Sequence, residues 1–453
     1  MNGRLTDSSA FAHLWGTDEV RARFGERAMY QAWLQILAAL AGAQAQLGII
    51  PAAAAQAIAT VDADALDVDL MVAETRRTSH STLGFIAALR HALPPEAAEY
   101  VYYGTTVQDL TDTWTVLVLA DVGQIVWRDL HALEGQLIDL AREHRGTVMA
   151  GRTHGQPGAP VTFGLKVASW ADEVRRHIER LGAGRDRWLV GQLGGAVGTL
   201  GFFGDDGPRL RASFCARLGL ADPHIGWLTA RDRLADFALL LAMVCSTLAR
   251  VGCEVYELAR PEIGELREPM TPGTVGSITM PHKRNPERAE HLDTLARLAR
   301  ANAGVLLEGM VAVHERDGRG WKAEWAALPE VCLVTSTALG LALEIVGGLE
   351  VDTEAMAANI AARGGYLSSE EILAALASKV GKHVAQAQLQ GLFAETQRSG
   401  RPLLDALDDA CMIDAGIAQR IVNHPSVATA IDAVDAVVAR AAVARAAEKE
   451  EWS

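Results

Sequence analysis

The sequence predicts an all-α protein made of three helical domains around a central bundle of long helices. Between residues 110 and 144 there is no proline, and apolar residues recur at helical spacing over more than thirty positions. Segments of similar character follow at about 231–260 and 287–314, and few stretches show the alternation of a β-strand. Helices far longer than the average of about 11–12 residues are typical of bundles.

Two shorter-helix regions flank this central region. Residues 1–102 form the predicted N-terminal domain, with a helix over about 26–47 and a second one beginning at Pro51. Residues 103–349 form the central bundle domain. Residues 350–453 form the C-terminal domain, where the composition shifts to short Ala- and Asp-rich helices. We expect that domain to end in an exposed tail from residue 448.

Composition excludes several classes of function. A hydrophobic content of 49% predicts a globular chain or an oligomer that hides apolar surface, and the net charge of −14 argues against nucleic-acid binding. Five cysteines without a CxxC pair indicate neither disulfides nor zinc, and no metal or cofactor is expected. With no apolar leader, and with the longest apolar run, around 237–245, too short to span a bilayer, we expect a cytoplasmic protein that binds no membrane.

Residues 273–290, the signature stretch below, combine a flexible loop with reactive side chains. Gly273, Gly276 and Pro281 favour a loop, in which the hydroxyl of Ser277 is followed by a run of donors and cations, His282, Lys283, Arg284 and Asn285. Pro286 then opens a helix that carries Glu290. Such a loop suits a reaction that builds negative charge on a carboxylate. By composition alone, a surface turn with solvated charges explains it equally well.

The signature stretch also resembles a known motif. Gly-Ser-Ile-Thr-Met-Pro-His-Lys-Arg-Asn-Pro is similar to the Gly-Ser-Ser-x-Met-Pro-x-Lys-x-Asn-Pro motif of the fumarase/aspartase superfamily, in its adenylosuccinate lyase and 3-carboxymuconate cycloisomerase branch. The resemblance implies that Ser277 takes a proton from carbon, that Lys283 and Asn285 stabilise the resulting dianion, and that Met280 contacts substrate. Ile278 replaces the second serine of the motif.

A second motif implies the acid of the reaction. Gly151-Arg-Thr-His-Gly-Gln-Pro157 resembles a loop of adenylosuccinate lyases whose histidine protonates the leaving group, here His154. The same resemblance places Thr153 and Gln156 against the substrate and gives Glu290 the role of orienting His154. On spacing alone, His154 is equally compatible with a simple turn.

Three further segments resemble the branch's substrate-binding elements. Gly104-Thr-Thr-Val-Gln-Asp109 is similar to Gly-x-Thr-Ser-x-Asp, which implies that Thr106 holds a carboxylate at a helix N-terminus, while Asp109 is better explained as a helix cap. Ser79 and His80 occupy a Thr-x-His-Asp-like element. Arg316, in a Glu-Arg-Asp segment, is the candidate carboxylate clamp, with solvated charge as the alternative.

Two other elements are interpreted as structural. The glycine-rich tract 191–199 lacks the spacing and the β-strand of a dinucleotide loop, so we interpret it as a turn. The Arg-Asp-Arg segment that begins at Arg231 is expected to form a network of charges.

Together the resemblances imply a homotetramer whose active sites are each built from three subunits and act on a small dicarboxylate. The implied reaction is the reversible anti-β-elimination of an N-substituted succinate, which breaks a C–N bond and releases fumarate. Because His13-Leu14-Trp15-Gly16 replaces the Arg-Tyr pair of adenylosuccinate lyases, AMP is not favoured as the leaving group. A 3-carboxymuconate cycloisomerase, which residues 321–330 resemble, an adenylosuccinate lyase proper and a catalytically silent structural relative remain alternatives.

Overall fold

The computed structural model describes residues 4–270, 273 and 275–452. Thr274 of the signature stretch and residues 1–3 and 453 of the predicted terminal domains therefore lie outside the described residues. The described chain is mainly helical, which confirms the predicted fold class.

The N-terminal region has six helices, of which the last five pack around an apolar cluster that includes Trp33, Phe85 and Leu89, while Val20 of the first belongs to the core of the central bundle. These helices are α1 (Asp18–Arg23), α2 (Glu26–Gln46), α3 (Ala52–Ala59), α4 (Val68–Thr78), α5 (Leu83–His91) and α6 (Pro95–Ala98). Five short 3-10 turns occur along the described chain: Leu5–Asp7, Ala12–Leu14, Ala63–Ala65, Gly204–Asp206 and Tyr366–Ser368.

Five long helices form the central bundle. They are α7 (Val107–Glu143), α8 (Phe163–Trp188), α10 (Asp232–Leu258), α11 (Glu287–Gly309) and α12 (Gly318–Gly347), while the short α9 (Gly207–Arg217) lies between α8 and α10. Their apolar faces share one continuous core. The bundle positions the loops at its two ends, and those loops carry the candidate site residues.

Consecutive long helices run in opposite directions. Gly252, near the end of α10, faces Ala289 at the start of α11. A Cβ on Gly320, at the start of α12, would lie 2.7 Å from the Cα of Gly309, the last residue of α11, so these two helix ends approach each other as closely as only glycine allows. The first residues of α7, α10 and α12 therefore lie at one end of the bundle, the α7-start end. Their last residues and the start of α11 lie at the other, the α7-finish end.

The observed helices differ from the predicted ones in two places. The helix predicted over 287–314 ends at Gly309, where the chain turns into α12. The 30 residues of α12 were not predicted as a helix, and Pro329 lies inside it. A proline and four glycines within one segment normally argue against a helix, but here half of the residues of α12 are buried and their packing outweighs those local preferences.

Two small antiparallel sheets accompany the bundle. The hairpin of β1 (Val148–Thr153) and β2 (Gln156–Thr162) follows α7, and the pair β3 (Leu266–Arg267) and β4 (Glu350–Val351) lies at the same end of the bundle. Arg152 of the hairpin forms an ion pair of 2.8 Å with the buried Glu265, just before β3. This contact fixes the hairpin to the α7-finish end.

The C-terminal region has a separate apolar cluster that includes Ile372, Leu389 and Leu407. Its helices are α13 (Thr353–Ala361), α14 (Ser369–Val380), α15 (Lys382–Ser399), α16 (Leu403–Asp409), α17 (Ala415–Asn423) and α18 (Ala428–Ala447). The helix α18 leaves this cluster and packs on α8. The exact domain boundaries at 102/103 and 349/350 stay a prediction.

The prediction of an exposed tail is right for residues 449–451, which are exposed, and wrong for Trp452. Trp452 is only 6% exposed, and its indole N–H donates to the carbonyl oxygen of Leu181. A Cβ on Gly123 of α7 would collide with the indole ring at 1.9 Å, so the slot between α7 and α8 depends on that glycine. Glu448 also bonds to Arg175 and His131. Apolar burial and these charged contacts hold the tail on the bundle.

Two bundle helices are long and apolar enough to cross a membrane. These are α10, which contains the apolar run at 237–245, and α12. Most of each apolar window is buried inside the protein, 72% in α10 and 61% in α12, as expected for helices of a protein core.

Candidate active site

The start of α7 is held by hydrogen bonds between the Asp109 carboxylate and backbone N–H groups. The Asp109 carboxylate accepts the N–H of Thr106 at 3.0 Å, as a helix cap does, and also the N–H groups of Gly194 and Gly195 at 2.7 and 3.0 Å. Burial raises the pKa of Asp109 to about 6 in spite of these donors. The structural interpretation of Asp109 and of the glycine-rich tract is therefore confirmed, because each stabilises the other.

Thr106 and Arg316 meet at this helix start. Arg316 Nη1 donates to Thr106 Oγ1 over 2.6 Å, although 210 residues separate them in the sequence. The guanidinium carbon lies 5.7 Å from the ring centroid of Trp321, a cation–π distance. A cation, a hydroxyl and the positive end of a helix dipole are thus combined, which is the chemistry that binds a carboxylate.

His80 lines the same cleft as Thr106, on the far side from α7. The cleft has a volume of about 460 Å³, and its other lining residues include Tyr102, Thr105 and Val107. Ser79 has a left-handed backbone with φ of 52° and ends α4, so it shapes the turn that presents His80. Sequence reasoning did not single out Tyr102, whose position next to the Tyr103-Gly104 pair was the available signal.

The Arg231 side chain is structural, as predicted. It is buried and binds Asp112 at 2.7 Å and Glu324 at 2.5 Å, and both partners are buried as well. Glu324 belongs to the segment that resembles cycloisomerases, so part of that resemblance reflects this ion-pair network. The network joins α7, α10 and α12 just beyond the cleft.

His154 lies at the tip of the β1–β2 hairpin, at the other end of the bundle. His154 and Gly155 both have positive φ, 52° and 74°, the pattern that a type I′ hairpin turn requires. Thr153 and Gln156 are the strand residues that pair across the turn, and all four are exposed. A positive φ costs free energy at a histidine, so the turn keeps an imidazole at an exposed and strained position.

The signature stretch folds back on itself at that same end. Ser277 Oγ accepts the N–H of Met280 at 3.1 Å, and the Met280 carbonyl accepts the N–H of Lys283 at 2.9 Å. An N–H aimed at a hydroxyl oxygen favours its deprotonated form, as a serine base requires. Asn285 is half-buried and Lys283 exposed, while Arg284 anchors the loop through Glu350 at 2.8 Å.

Glu290 lies in the first turn of α11, and its side chain is exposed next to this loop. Ile278, which replaces the motif's second serine, is 94% exposed. In this single chain Lys283 and Glu290 therefore face solvent, whereas Ser277 and Asn285 are half-buried.

Within one chain, the predicted site residues lie in two separate groups. Thr106, Arg316 and His80 lie at the α7-start end, whereas His154 and the signature stretch lie at the α7-finish end. The 37 residues of α7 place its ends roughly 55 Å apart at about 1.5 Å per residue. No loop of the described chain bridges that distance, so one chain cannot complete the predicted site.

Among the described residues, no group of three or more His, Cys, Asp or Glu side chains could hold a metal ion.

Comparisons with known proteins identify the family. A family model described as a lyase matches residues 15–300. The N-acetyl-S-(2-succino)cysteine lyase of Dickeya dadantii is 41% identical over 386 residues, which is 85% of each chain. The chain belongs to the fumarase/aspartase superfamily. This superfamily member is also 36% identical to the nitrosuccinate lyase of Streptomyces davaonensis, over 90% of its length and 88% of that protein.

The fold of this superfamily member also matches a solved structure. The 3-carboxy-cis,cis-muconate lactonizing enzyme of Pseudomonas putida superposes with a TM-score of 0.89 at 32% identity, over 96% of this chain and 99% of that one. The family model and the two sequence relatives support a lyase, whereas the solved structure is named for the formation of a lactone. The predicted assignment to this superfamily and to the lyases is confirmed.

Proposed function

We propose that this protein releases fumarate from a succinate that carries a sulfur or nitrogen substituent at C2. The observation that carries the proposal is the contact of 2.6 Å between Arg316 and Thr106 at the start of α7, beside His80. This arrangement supports a binding site for a carboxylate in a chain whose relatives act on substituted succinates by name. A small dicarboxylate is therefore the proposed substrate class.

Ser277 is the proposed base. It removes the proton at the carbon next to a carboxylate, which converts that group into a dianion, the main energetic obstacle of the reaction. Lys283 and Asn285 follow in the same loop and stabilise the added charge when the loop closes. Met280 and Ser79 are proposed to contact the substrate at the edges of the closed site.

His154 is the proposed acid for the leaving group. Its position at an exposed hairpin tip lets it reach a neighbouring subunit, with Thr153 and Gln156 beside it as substrate contacts. The Glu290 carboxylate is proposed to orient the imidazole and favour its charged form. In this scheme the acid and the base approach opposite faces of the substrate, as anti-elimination requires.

A homotetramer is the proposed assembly, because another subunit must supply what one chain separates by the length of α7. Several large apolar side chains are exposed on the bundle or just after α11, which fits their burial between subunits. They are Met243, Tyr256, Leu298, Val305, Leu307, Met310, Val311 and Val313. A cytoplasmic location remains part of the proposal.

For the leaving group we propose a thiolate of an N-acylated cysteine ahead of an amine. The support is the identity of 41% to a lyase named for such a thioether, compared with 36% to the nitrosuccinate lyase. With a thiolate as the leaving group, the bond broken is C–S, and the C–N cleavage predicted from the sequence becomes the second choice. A thiol has a pKa of about 8.5 and leaves readily as an anion, whereas an amine must be protonated to leave.

The test supplies the purified protein with thioether-linked and amine-linked succinates and measures fumarate formation. We expect Ser277→Ala to abolish release of fumarate from both classes. His154→Asn should spare the thioether reaction relative to the amine reaction, because only the amine depends fully on a proton donor. Absence of fumarate from every substituted succinate would contradict the proposal.

A 3-carboxymuconate cycloisomerase is the second candidate, favoured by the TM-score of 0.89 to the Pseudomonas putida enzyme. Formation of a lactone from 3-carboxymuconate, without fumarate release from the succinates, would favour it. Adenylosuccinate cleavage is tested with the same assay.

A further inference from the structure

The turn that presents His80 contains a threonine with an unusual hydrogen-bonding pattern. Thr82 is the N-cap residue of α5, where a threonine hydroxyl ordinarily accepts a backbone N–H from the first turn, yet it forms no such bond. Its hydroxyl instead lies 3.5 Å from Nδ1 of His80, and its backbone N–H donates to the same nitrogen over 3.4 Å. Thr82 is 0% exposed, so water does not compete for these contacts.

These contacts determine which nitrogen of His80 carries the proton. A backbone N–H can only donate, so His80 Nδ1 must accept, and a neutral imidazole that accepts at Nδ1 carries its proton on Nε2. Within the described part of the chain, Nε2 has no hydrogen-bond partner, and His80 lines the cleft. The Nε2–H is thus available to a ligand.

Tyr102, which lines the same cleft, supports the same arrangement. Its hydroxyl is shielded from solvent and has no hydrogen-bond partner among the described residues; Thr82 is near enough to interact weakly without forming a hydrogen bond. Burial raises the pKa of the Tyr102 phenol, so the hydroxyl stays a donor. Tyr102 also has a left-handed backbone, with φ of 61°, a strained conformation that holds its ring in the cleft.

We infer that Thr82 is a positioning residue that holds His80 in the Nε2–H tautomer, so that His80 donates this proton to a carboxylate of the substrate. The inference rests on the proposed function, because the carboxylate is the one assigned to the cleft of Thr106 and Arg316. Tyr102 completes the chain by donating to the Thr82 hydroxyl when the cleft is occupied. That hydroxyl then directs its own proton to Nδ1.

The first experiment replaces one nitrogen of the ring at a time and uses succinate as the probe. The amide nitrogen of glutamine reaches the position of Nε2, and that of asparagine the position of Nδ1. We expect His80→Gln to bind succinate within roughly 3-fold of the unaltered protein in calorimetry, and His80→Asn to bind roughly 10- to 100-fold more weakly, the range for a lost hydrogen bond to a charged group. Equal losses in the two variants, or a smaller loss in His80→Asn, overturn the inference.

The second experiment measures the coupling between Thr82 and His80. Thr82→Val keeps the backbone N–H that donates to Nδ1 but removes the hydroxyl beside it, and it should weaken succinate binding roughly 3- to 10-fold. Thr82→Ser should restore binding because the hydroxyl returns. In the His80→Gln background, Thr82→Val should have no effect, since no Nδ1 remains to be held. A purely structural role predicts the same loss in both backgrounds and overturns the inference.

A matched control separates binding from folding. Thr162 is equally buried, and its hydroxyl does cap a helix, accepting the N–H of Leu165 at 3.1 Å. Thr162→Val should lower the melting temperature without changing succinate affinity, whereas Thr82→Val should change affinity without lowering the melting temperature. The reverse pattern contradicts the assignment.

The two proposals fail differently. If the protein releases no fumarate from any substituted succinate but binds succinate with the coupling described, the proposed function fails and the role of Thr82 stands. If fumarate is released and the coupling is absent, only the role of Thr82 fails. If the protein neither releases fumarate nor binds succinate, both fail.

Discussion

The separation of the site into two ends of the bundle predicts that two inactive variants restore each other. Arg316→Met removes the cation that contacts Thr106 at the start of α7, and Ser277→Ala removes the proposed base of the signature stretch. Because roughly 55 Å of α7 separates the two positions, the proposed site must take Arg316 and Ser277 from different chains of the proposed homotetramer. Tetramers that contain both variants will therefore include some sites with both residues intact.

The magnitude follows from random assortment. With equal amounts of the two chains, half of the sites receive an intact Arg316 and half of those receive an intact Ser277, so all tetramers together should regain about 25% of the unaltered activity. The tetramers that contain both variants should regain about 29%, because the roughly one-eighth that contain a single variant have no intact site. Loss of a catalytic base lowers rates by about 100-fold or more, so the recovered activity stands well above that of either variant alone.

The assay coexpresses the two variants with different affinity tags, purifies tetramers that carry both tags, and measures fumarate release. Lys283→Met paired with Ser277→Ala is the matched control. Both changes affect one loop of one chain, so every site contains a damaged loop and no activity returns. Mixed tetramers of Arg316→Met and Ser277→Ala that assemble normally but stay inactive would refute the separation of the site between chains.

Three predictions concern stability. Trp452→Ala should lower the unfolding free energy by about 3–5 kcal/mol in chemical denaturation, because it empties the slot beside Gly123, whereas Trp325→Ala at a 40% exposed position should cost far less. Arg231→Met should cost about 3–5 kcal/mol, because it leaves two buried carboxylates without their cation, and an unchanged denaturation midpoint would contradict this. Burial lowers the pKa of His177 to about 4, so the unfolded chain binds its proton first as the pH falls and stability is lost between about pH 6.5 and 4. His177→Gln should lose less stability over that window in the same measurement.

Sequence reasoning predicted the long helices well and the turns less well. The helix α7 was predicted within three residues at its start because proline-free apolar spacing persists over many turns. The helix α12 was missed because local preferences at Gly318, Gly320 and Pro329 oppose a helix, and only the packing of the other bundle helices reverses them. Tertiary packing of this kind leaves little trace in local sequence.

The candidate site shows a similar division. The resemblance to the family identified Thr106 and Arg316 as substrate-binding candidates. In the structure Arg316 Nη1 lies 2.6 Å from Thr106 Oγ1, a contact between residues 210 positions apart that no local sequence pattern predicts. The β-hairpin that carries His154 was not predicted. Its two central residues are typical of a turn, but its strands contain glycines and prolines instead of alternating apolar residues. Thr82 was not singled out either, because a threonine before a helix normally indicates only a cap.

The Trp452 slot has a consequence for how the chain acquires its structure. The slot is formed by residues near 123 on α7 and 181 on α8, but the side chain that fills it arrives much later, since Trp452 and its partner Gln124 are 328 residues apart. The slot is complete only once Leu181 is made, 271 residues before Trp452, so at about 5–20 residues per second of synthesis it stays empty on the ribosome for roughly 14–54 seconds. During that interval the apolar slot between α7 and α8 is open to chaperones and to other nascent chains.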